Sequence, residues 1–206
     1  MSPSLLIYGA GGHGRVVADI AELSGFARVA FADAAWPEQT SNLAWPIISN
    51  EYASLSDFTH YFVAIGNNQV RKQHVLALQA LGKTLPVLIH PTGFLSKHSQ
   101  LGEGSIVMAG AAVNAGATLG KGVIINTGAT VDHDCIVGDF VHISPGVNLA
   151  GGIKVEAGAW IGIGSCIREG CRIGEGAIVA GGATVIRDVK PGETVYGNPA
   201  QTKSDK

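Results

Sequence analysis

The second half of the chain carries an apolar residue at every sixth position. From Leu101 to Val185 these fifteen positions are all Leu, Ile or Val. The residue three places after each of the first fourteen is glycine in twelve cases, and the exceptions are Asp134 and Phe140. A period of six fits neither a helix nor a simple alternating strand, and it is typical of a solenoid in which each hexad supplies a short strand and a turn. We therefore expect the aliphatic side chains to fill a prism, with glycine permitting the corner conformation.

The first half of the chain has a different pattern. The segments LLIYG, ARVAFAD, YFVAIGNN and LPVLI predict strands, while RVVADIAELSG and QVRKQHVLALQALG predict helices. This alternation indicates a small parallel sheet with helices on its faces. The stretch from 34 to 52 has no clear pattern and receives no assignment. The predicted architecture is an α/β Rossmann-like nucleotide-binding domain over residues 1–88, followed by a parallel β-helix over 89–206 with a short C-terminal tail.

Composition narrows the classes of partner. A net charge of -2 with 15% charged residues gives no basic field for nucleic acid or for an anionic membrane surface. No apolar run approaches the roughly 20 residues that span a bilayer, and no cationic leader is present, so we expect a cytoplasmic protein without membrane insertion. The three cysteines lack CxxC spacing, which predicts small packing residues rather than disulfides or a zinc knuckle.

A glycine fingerprint lies between the first predicted strand and helix. Gly9, Gly11 and Gly14 satisfy G-x-G-x-x-G, and Asp33 ends the next strand. This pattern is typical of a phosphate cradle with an acid for the ribose. A domain of about 90 residues provides roughly half of a dinucleotide-binding fold, which favours a mononucleotide, such as that of an activated sugar, over NAD. Structural glycines are the alternative, and His13 in this loop is either a ligand contact or a solvated residue.

The segment DHD breaks the glycine pattern of the solenoid. His133 follows the inward Val131 by two residues, which places it at a corner with its side chain outward. Asp132, Asp134 and Asn126 are its expected neighbours. A carboxylate beside an exposed imidazole is the arrangement of a general base tuned by an acid, and a solvated corner histidine is the alternative.

A second histidine lies half a coil further on. His142 precedes the inward Ile143 and should face outward from a flat strand, on a different side of the prism from His133. The two could share a site only if a neighbouring subunit joins them, so we predict an active site at an interface. The outward positions of His142, Trp160 and Phe140 predict a homotrimer. Catalytic zinc expects three protein ligands, and the other histidines of this half lie at its start, so no metal is expected.

Several segments together resemble one family over nearly the whole chain. They are YGAGGHGRVVADIAE, VAIGNNQVRKQ, LIHPTG, NTGATVDHDCIVGDFVHISPG, WIGIGSCIREG, VAGGATVIRDV and GNPA. The family is that of bacterial sugar O- and N-acyltransferases related to UDP-N-acetylbacillosamine biosynthesis. The resemblance implies a left-handed β-helix, acetyl-CoA as co-substrate, and N-acetylation of the 4-amino group of a UDP-4-amino-4,6-dideoxy sugar for protein glycans or surface polysaccharide.

The resemblance also implies roles for individual residues. His133 matches the catalytic base and Asp134 the acid that raises its basicity. The remaining matches fall into two sets, the acetyl-CoA contacts His142, Gly151, Ile163 and Gly181, and the nucleotide-sugar contacts Gly12, His13, Asp33, Gly66 and Asn126. An amide near Gly151 could stabilise the oxyanion. Relatives can carry two acids after the second strand, whereas Ala34 follows Asp33 here, and this departure leaves the nucleotide base open.

Two other functions stay open at this point. A histidine base serves hydroxyl acceptors as well as amines, and sialic acid O-acetyltransferases share the two-part layout. A non-catalytic module that binds a nucleotide sugar belongs to a different class. An acyl group carried on Cys135 is not expected, because its place before the inward Val137 suits a small buried side chain.

Overall fold

The structure is a computed structural model that describes residues 2–51 and 57–202. The chain forms two compact units, Met1–Pro91 and Thr92–Lys206.

The N-terminal unit is a five-stranded sheet with two helices. In chain order its elements are β1 (Ser4–Tyr8), α1 (Gly12–Leu23), β2 (Arg28–Ala32), β3 (Ser41–Asn42), β4 (Trp45–Ser49), β5 (His60–Val63), α2 (Asn68–Ala80) and β6 (Leu88–Ile89). The sheet has the order β3-β4-β2-β1-β5. Strand β1 pairs in parallel with β2 and β5, β2 pairs in parallel with β4, and only β3 is antiparallel. The predicted parallel sheet and both predicted helices are therefore confirmed.

Two parts of the unit differ from the sequence prediction. The unassigned stretch supplies a short hairpin, β3 and β4, whose turn contains Leu43 at a φ of 54°. Leucine rarely takes this conformation, so no turn signal marks the hairpin. The Asn42 side chain anchors it by donating a hydrogen bond to the carbonyl of Ala10. The segment LPVLI was predicted as the last strand of the sheet, but only Leu88–Ile89 is extended and it is not part of that sheet.

The C-terminal unit is a left-handed parallel β-helix with three faces. The first face contains β7 (Phe94–Leu95), β10 (Ala112–Val113), β13 (Thr130–Val131), β16 (Asn148–Leu149), β19 (Cys166–Ile167) and β22 (Thr184–Val185). The second contains β8 (Gln100–Leu101), β11 (Thr118–Leu119), β14 (Ile136–Val137), β17 (Lys154–Val155) and β20 (Arg172–Ile173). The third contains β9 (Ile106–Val107), β12 (Ile124–Ile125), β15 (His142–Ile143), β18 (Trp160–Ile161), β21 (Ile178–Val179), β23 (Thr194–Tyr196) and the antiparallel β24 (Gln201–Thr202).

Successive coils stack residues that lie eighteen positions apart. Val113, Val131 and Leu149 are partners in adjacent strands of the first face, for example. Of the fifteen aliphatic residues of the repeat, all but Leu101 are at most 3% exposed. The predicted apolar core of the prism is thus confirmed.

The glycines of the repeat occupy the left-handed region of the backbone. All twelve have φ between 61° and 79°. Asp134 and Phe140 take the same conformation, with φ of 59° and 58°. Left-handed φ is costly for residues with a Cβ, and aspartate tolerates it better than phenylalanine. The solenoid therefore keeps its corner geometry where the glycine pattern is interrupted.

Two predictions of an outward side chain and one of a packing side chain need correction. Phe140 was expected on the surface, but it is 3% exposed and its ring lies against Gly122, where a Cβ would be 2.6 Å from the ring. His142 is only 7% exposed because its ring packs on Trp160, with centroids 4.3 Å apart. Cys166 was expected to be a packing residue and is exposed, whereas Cys135 and Cys171 are buried as predicted.

Candidate functional site

A cavity of about 390 Å³ opens at the carboxyl ends of β1, β2 and β5. Parallel sheets bind ligands at this edge. The lining residues are Tyr8, Gly9, Gly11, Gly12, His13, Asp33, Ala34, Ala64, Ile65, Gly66, Val70 and His74. Four of the predicted nucleotide-sugar contacts, Gly12, His13, Asp33 and Gly66, are therefore brought together on one cavity.

The glycines of the fingerprint have two different roles. Gly9 has a φ of 105°, and a Cβ there would lie 2.9 Å from the carbonyl oxygen of Ala64. A Cβ on Gly14 would lie 2.1 Å from the carbonyl oxygen of Gly9. These two glycines are required by the packing of the loop itself. At Gly11, the N-cap of α1, and at Gly12, its first residue, a Cβ would meet no atom within 4 Å. Because these residues have no side chain, the space in front of the amide groups of the helix N-terminus is open.

Asp33 ties the glycine loop to the end of β2. Its Oδ2 accepts a hydrogen bond from the backbone amide of Ala10 at 2.7 Å, and its Oδ1 accepts one from Ala35 at 2.9 Å. A carboxylate has about four acceptor positions, so both oxygens retain capacity for a ligand hydroxyl. Asp33 can thus both shape the cavity and bind in it.

Sequence reasoning missed a buried arginine behind this cavity. Arg71 is 1% exposed and donates hydrogen bonds to the carbonyls of Ile65 and Gly66 at 3.0 and 2.9 Å, and to Oδ1 of Asn68 at 2.8 Å. Burial lowers the pKa of its guanidinium to about 9. The side chain fixes the turn that carries Gly66. The only sequence signal was a lone cation on the helical face that also carries Val75 and Leu78.

Sequence reasoning also missed an aromatic pair on the cavity wall. The rings of Tyr8 and His74 have centroids 4.2 Å apart. Burial, and then the charge of Asp33, raises the pKa of Tyr8, while burial lowers the pKa of His74. Both directions favour the neutral forms, so the wall presents uncharged rings to a ligand.

The central feature of the β-helix unit is the turn that we call the His133 corner, residues 132–135. Nδ1 of His133 lies 2.9 Å from Oδ2 of Asp134, and their side chains are 64% and 71% exposed. The hydrogen bond that His133 donates to Asp134, followed by the charge of Asp132, raises the pKa of His133. The predicted outward histidine with an acidic partner is therefore present.

The coils on either side leave room for this pair. A Cβ on Gly116, one coil earlier, would lie 2.4 Å from Oδ1 of Asp134. A Cβ on Gly151, one coil later, would lie 2.5 Å from Cε1 and Nε2 of His133. The two side chains thus lie over bare backbone on both neighbouring coils, and Gly151 shares the corner with His133.

The other predicted contacts of this unit form a separate set, which we call the His142 group. It consists of Asn126, His142, Ile163 and Gly181, at the third face and the turn that follows it. The amide of Asn126 lies 3.3 Å from Nε2 of His142. Ile163 is 63% exposed, and a Cβ on Gly181 would lie 3.1 Å from its side chain. Asn126 was expected beside His133, but it directly follows β12 and its amide pairs with His142, which lies on the adjacent strand of the next coil.

The thiol nearest to His133 along the sequence is that of Cys135. Cys135 is fully buried, its Sγ lies 3.1 Å from the carbonyl oxygen of Ala150, and burial raises the pKa of its thiol, so the reactive thiolate is disfavoured. Within residues 2–51 and 57–202, no three His, Cys, Asp or Glu side chains cluster as metal ligands.

In the same ranges, no helix has the length and apolarity to cross a membrane.

A hexapeptide-repeat β-helix after an α/β N-terminal unit is the architecture of the hexapeptide-repeat acyltransferases that this chain matches. Residues 4–78 match the PglD N-terminal domain, and residues 152–187 match the six-repeat bacterial transferase hexapeptide. The acetyltransferase domain of PglB from Neisseria gonorrhoeae is 43% identical, with 97% of this chain and 99% of that chain covered and a TM-score of 0.93. That domain has also been solved in complex with acetyl coenzyme A.

Two further relatives extend the comparison to sugars. PerB from Caulobacter crescentus, solved with CoA and GDP-perosamine, is 36% identical over 98% of this chain and 97% of that chain, with a TM-score of 0.92. The UDP-N-acetylbacillosamine N-acetyltransferase of Bacillus subtilis is 36% identical over 112 residues, and the chain spans about half of its length, 51%. The chain belongs to the family of PglD-like bacterial sugar N-acyltransferases.

Proposed function

We propose that the protein is an acetyl-CoA-dependent N-acetyltransferase that acts on the 4-amino group of a UDP-4-amino-4,6-dideoxy sugar, for protein glycan or surface polysaccharide synthesis. The observation that carries this proposal is the exposed His133–Asp134 pair on an outer corner of the β-helix. The cavity of the N-terminal unit provides a second, independent reason, because its open helix N-terminus and Asp33 suit a nucleotide phosphate and ribose. The names of the relatives favour an amine acceptor and leave UDP and GDP as competing nucleotides.

The pair has the geometry of a base with a defined tautomer. Because a carboxylate only accepts hydrogen bonds, the short contact places the proton of a neutral His133 on Nδ1 and leaves the lone pair on Nε2. Nε2 removes a proton from the sugar amine as the nitrogen attacks the thioester carbonyl. The C–S bond then breaks, and the proton passes from the imidazolium to the CoA thiolate. The amide at Gly151, on the same corner, is the proposed partner of the oxyanion.

The division of the site residues supports a homotrimer with active sites between subunits. Within one chain, the His133 corner lies between the first and second faces, whereas the His142 group lies at the third face and the following turn. One acetyl-CoA can meet both sets if the corner of one subunit faces the His142 group of its neighbour. Large apolar side chains are exposed on the outer surface of this unit, among them Ile136, Ile163 and Ile178. Such side chains are typical of surfaces that are buried on association.

The proposal is tested with acetyl-CoA and a panel of acceptors. The panel contains UDP- and GDP-linked 4-amino sugars, the matching 4-hydroxy sugars and free sialic acid, with release of CoA thiol as the readout. We expect turnover only with amino sugars, and faster turnover with UDP than with GDP. Turnover of hydroxyl acceptors instead would identify an O-acetyltransferase. Sugar-nucleotide binding without any thiol release would identify a binding module.

A variant of the N-terminal cavity tests the assignment of its ligand. Asp33→Ala removes the carboxylate that contacts the Ala10 amide, so the KM for the sugar nucleotide should rise while the KM for acetyl-CoA stays nearly constant. Equal increases in both constants would contradict a cavity dedicated to the nucleotide.

A further inference from the structure

The turn of the His133 corner is braced by a residue of the preceding coil. Oδ1 of Asp132 accepts a hydrogen bond from the backbone amide of His133 at 2.7 Å and another from Nδ2 of Asn114 at 2.9 Å. Asn114 lies eighteen residues before Asp132, at the same place one coil earlier. One oxygen of the Asp132 carboxylate therefore links the side chain of Asn114, in the preceding coil, to the backbone amide of His133.

Glycine at position 151 is not required by the backbone. Unlike the corner glycines of the repeat, Gly151 does not have a positive φ. Ala115 occupies the same place two coils earlier, and Ala157 occupies the equivalent place of the next corner along the chain. The three atoms nearest to a Cβ at Gly151 all belong to the His133 ring, at 2.5, 2.5 and 3.1 Å. The bare position thus accommodates the imidazole rather than the chain.

We propose that Asn114, Asp132 and Gly151 are positioning residues that fix the orientation of the His133 ring. This inference rests on the proposed function and assigns to these residues a role that acts through His133. Asp132 and Asn114 hold the turn from which the ring projects, and Gly151 provides the surface on which the ring lies.

The contact between His133 and Asp134 is insufficient for this task by itself. Both side chains are more than half exposed, and a solvated pair of this kind loses much of its attraction to competition with water. A general base must stay within hydrogen-bond reach of the proton that it removes, and a displacement of about 1 Å can cost on the order of 10²-fold in rate. The charged groups that act on His133 are Asp134 and Asp132, so both positioning and charge come from the same turn.

Gly151→Ala is the most selective test of whether Gly151 orients the His133 ring. The added methyl group displaces an exposed side chain rather than backbone, so we expect an unchanged Tm. We expect kcat to fall on the order of 10-fold to 10²-fold. The matched control is Ala157→Ser, which adds one heavy atom at the equivalent place of a different corner and should retain normal kcat. An unchanged kcat in Gly151→Ala would overturn the proposal.

A titration of the substrate-free protein separates positioning from contact with acetyl-CoA. In Gly151→Ala the displaced ring should lose its bond to Asp134, and the pKa of His133 measured by NMR should fall toward its ordinary value. If Gly151 acts only by touching acetyl-CoA, that pKa will stay at the wild-type value and the proposal fails. The titration needs no activity, so it stays informative even if His133→Ala shows normal turnover and the proposed function is wrong.

The brace is tested by Asn114→Ala. This change removes one hydrogen bond from Asp132, and we expect a two- to tenfold loss of kcat, the factor that corresponds to about one hydrogen bond, with both KM values unchanged. Asn114→Asp, which places a second carboxylate against Asp132, should be worse than Asn114→Ala because of like-charge repulsion. Wild-type kcat in both variants would remove Asn114 and Asp132 from the proposal.

Discussion

The two interruptions of the glycine pattern have the same backbone and opposite surroundings. Asp134 and Phe140 lie in left-handed conformation at successive corners, with φ of 59° and 58°. The ring of Phe140 is buried over Gly122, whereas the carboxylate of Asp134 is 71% exposed beside His133. The strain at Phe140 is offset by burial of a large side chain, worth about 1.5–3 kcal/mol. No comparable burial offsets the left-handed conformation at Asp134, which supports the proposal that this residue has a chemical role.

This difference provides a way to distinguish a structural corner from a functional one. At a structural corner, a change should alter stability and leave turnover intact. At a functional corner, it should alter turnover and leave stability intact. The following changes test each side of that division.

The largest effect is expected for His133→Ala. Loss of a general base should lower kcat by on the order of 10²- to 10⁴-fold, while both binding affinities and the proposed trimer persist because an outward corner side chain contributes little to the core. Steady-state kinetics and light scattering provide the measurements. Near-normal turnover would show that His133 is not the base and that the segment DHD is a solvated turn.

Phe140→Gly should instead reduce stability. The change removes the buried ring but relieves the left-handed strain, so we expect a net loss of about 2–4 kcal/mol in the free energy of unfolding. Chemical denaturation measures the loss, and kcat at a temperature where the variant is folded should match the wild type. A large fall in kcat of the folded variant would show that the two corners are not separable.

Asp134→Gly is the counterpart at the functional corner. Glycine takes this backbone conformation without strain, so stability should be unchanged or slightly raised. Without the carboxylate the basicity of His133 falls, and kcat should drop on the order of tenfold, a smaller loss than removal of the base in His133→Ala. Unfolding of the Asp134→Gly protein, or an unchanged kcat, would contradict a chemical role for Asp134.

The smallest effect is a displacement of the pH profile. The base acts in its neutral form, so kcat/KM should rise with pH through the pKa of His133, which its hydrogen bond to Asp134 raises. Asp134→Asn keeps the backbone conformation but removes the charge, so this limb should move to lower pH. The acceptor amine can add a second limb, and a parallel series with one acceptor keeps its contribution constant. A limb that stays in place would show that Asp134 does not tune the base.

The sequence predicts the repeat better than its exceptions. Because the period is strict, every aliphatic position of the repeat points into the same core, and fourteen of the fifteen are buried. Whether an exceptional side chain turns in or out depends on the neighbouring coil, and the bare Gly122 that accommodates Phe140 lies eighteen residues away. The same reason explains why Asn126 was expected near His133 but pairs with His142.

The N-terminal unit shows a similar limit. Glycine spacing and Asp33 indicate the cavity from the sequence. Close approach of the backbone at Gly9 and Gly14 requires glycine, and this requirement is visible in the sequence. The buried Arg71, by contrast, satisfies carbonyl groups five and six residues away, and nothing in a lone cation on a helix distinguishes this from a solvated one. Whether such a side chain is buried depends on the packing of the whole unit, and that packing leaves little pattern in a single sequence.

The central claim, that the His133 corner of one subunit completes a site with the His142 group of another, is tested most directly by mixing two impaired variants. His133→Ala and His142→Ala are purified separately, then unfolded and refolded together, and assayed at limiting acetyl-CoA. In each mixed trimer one interface contains an intact corner and an intact His142 group, so random assortment should restore about a quarter of the wild-type sites. Activity of the mixture that stays at the average of the two separately refolded variants would contradict the account.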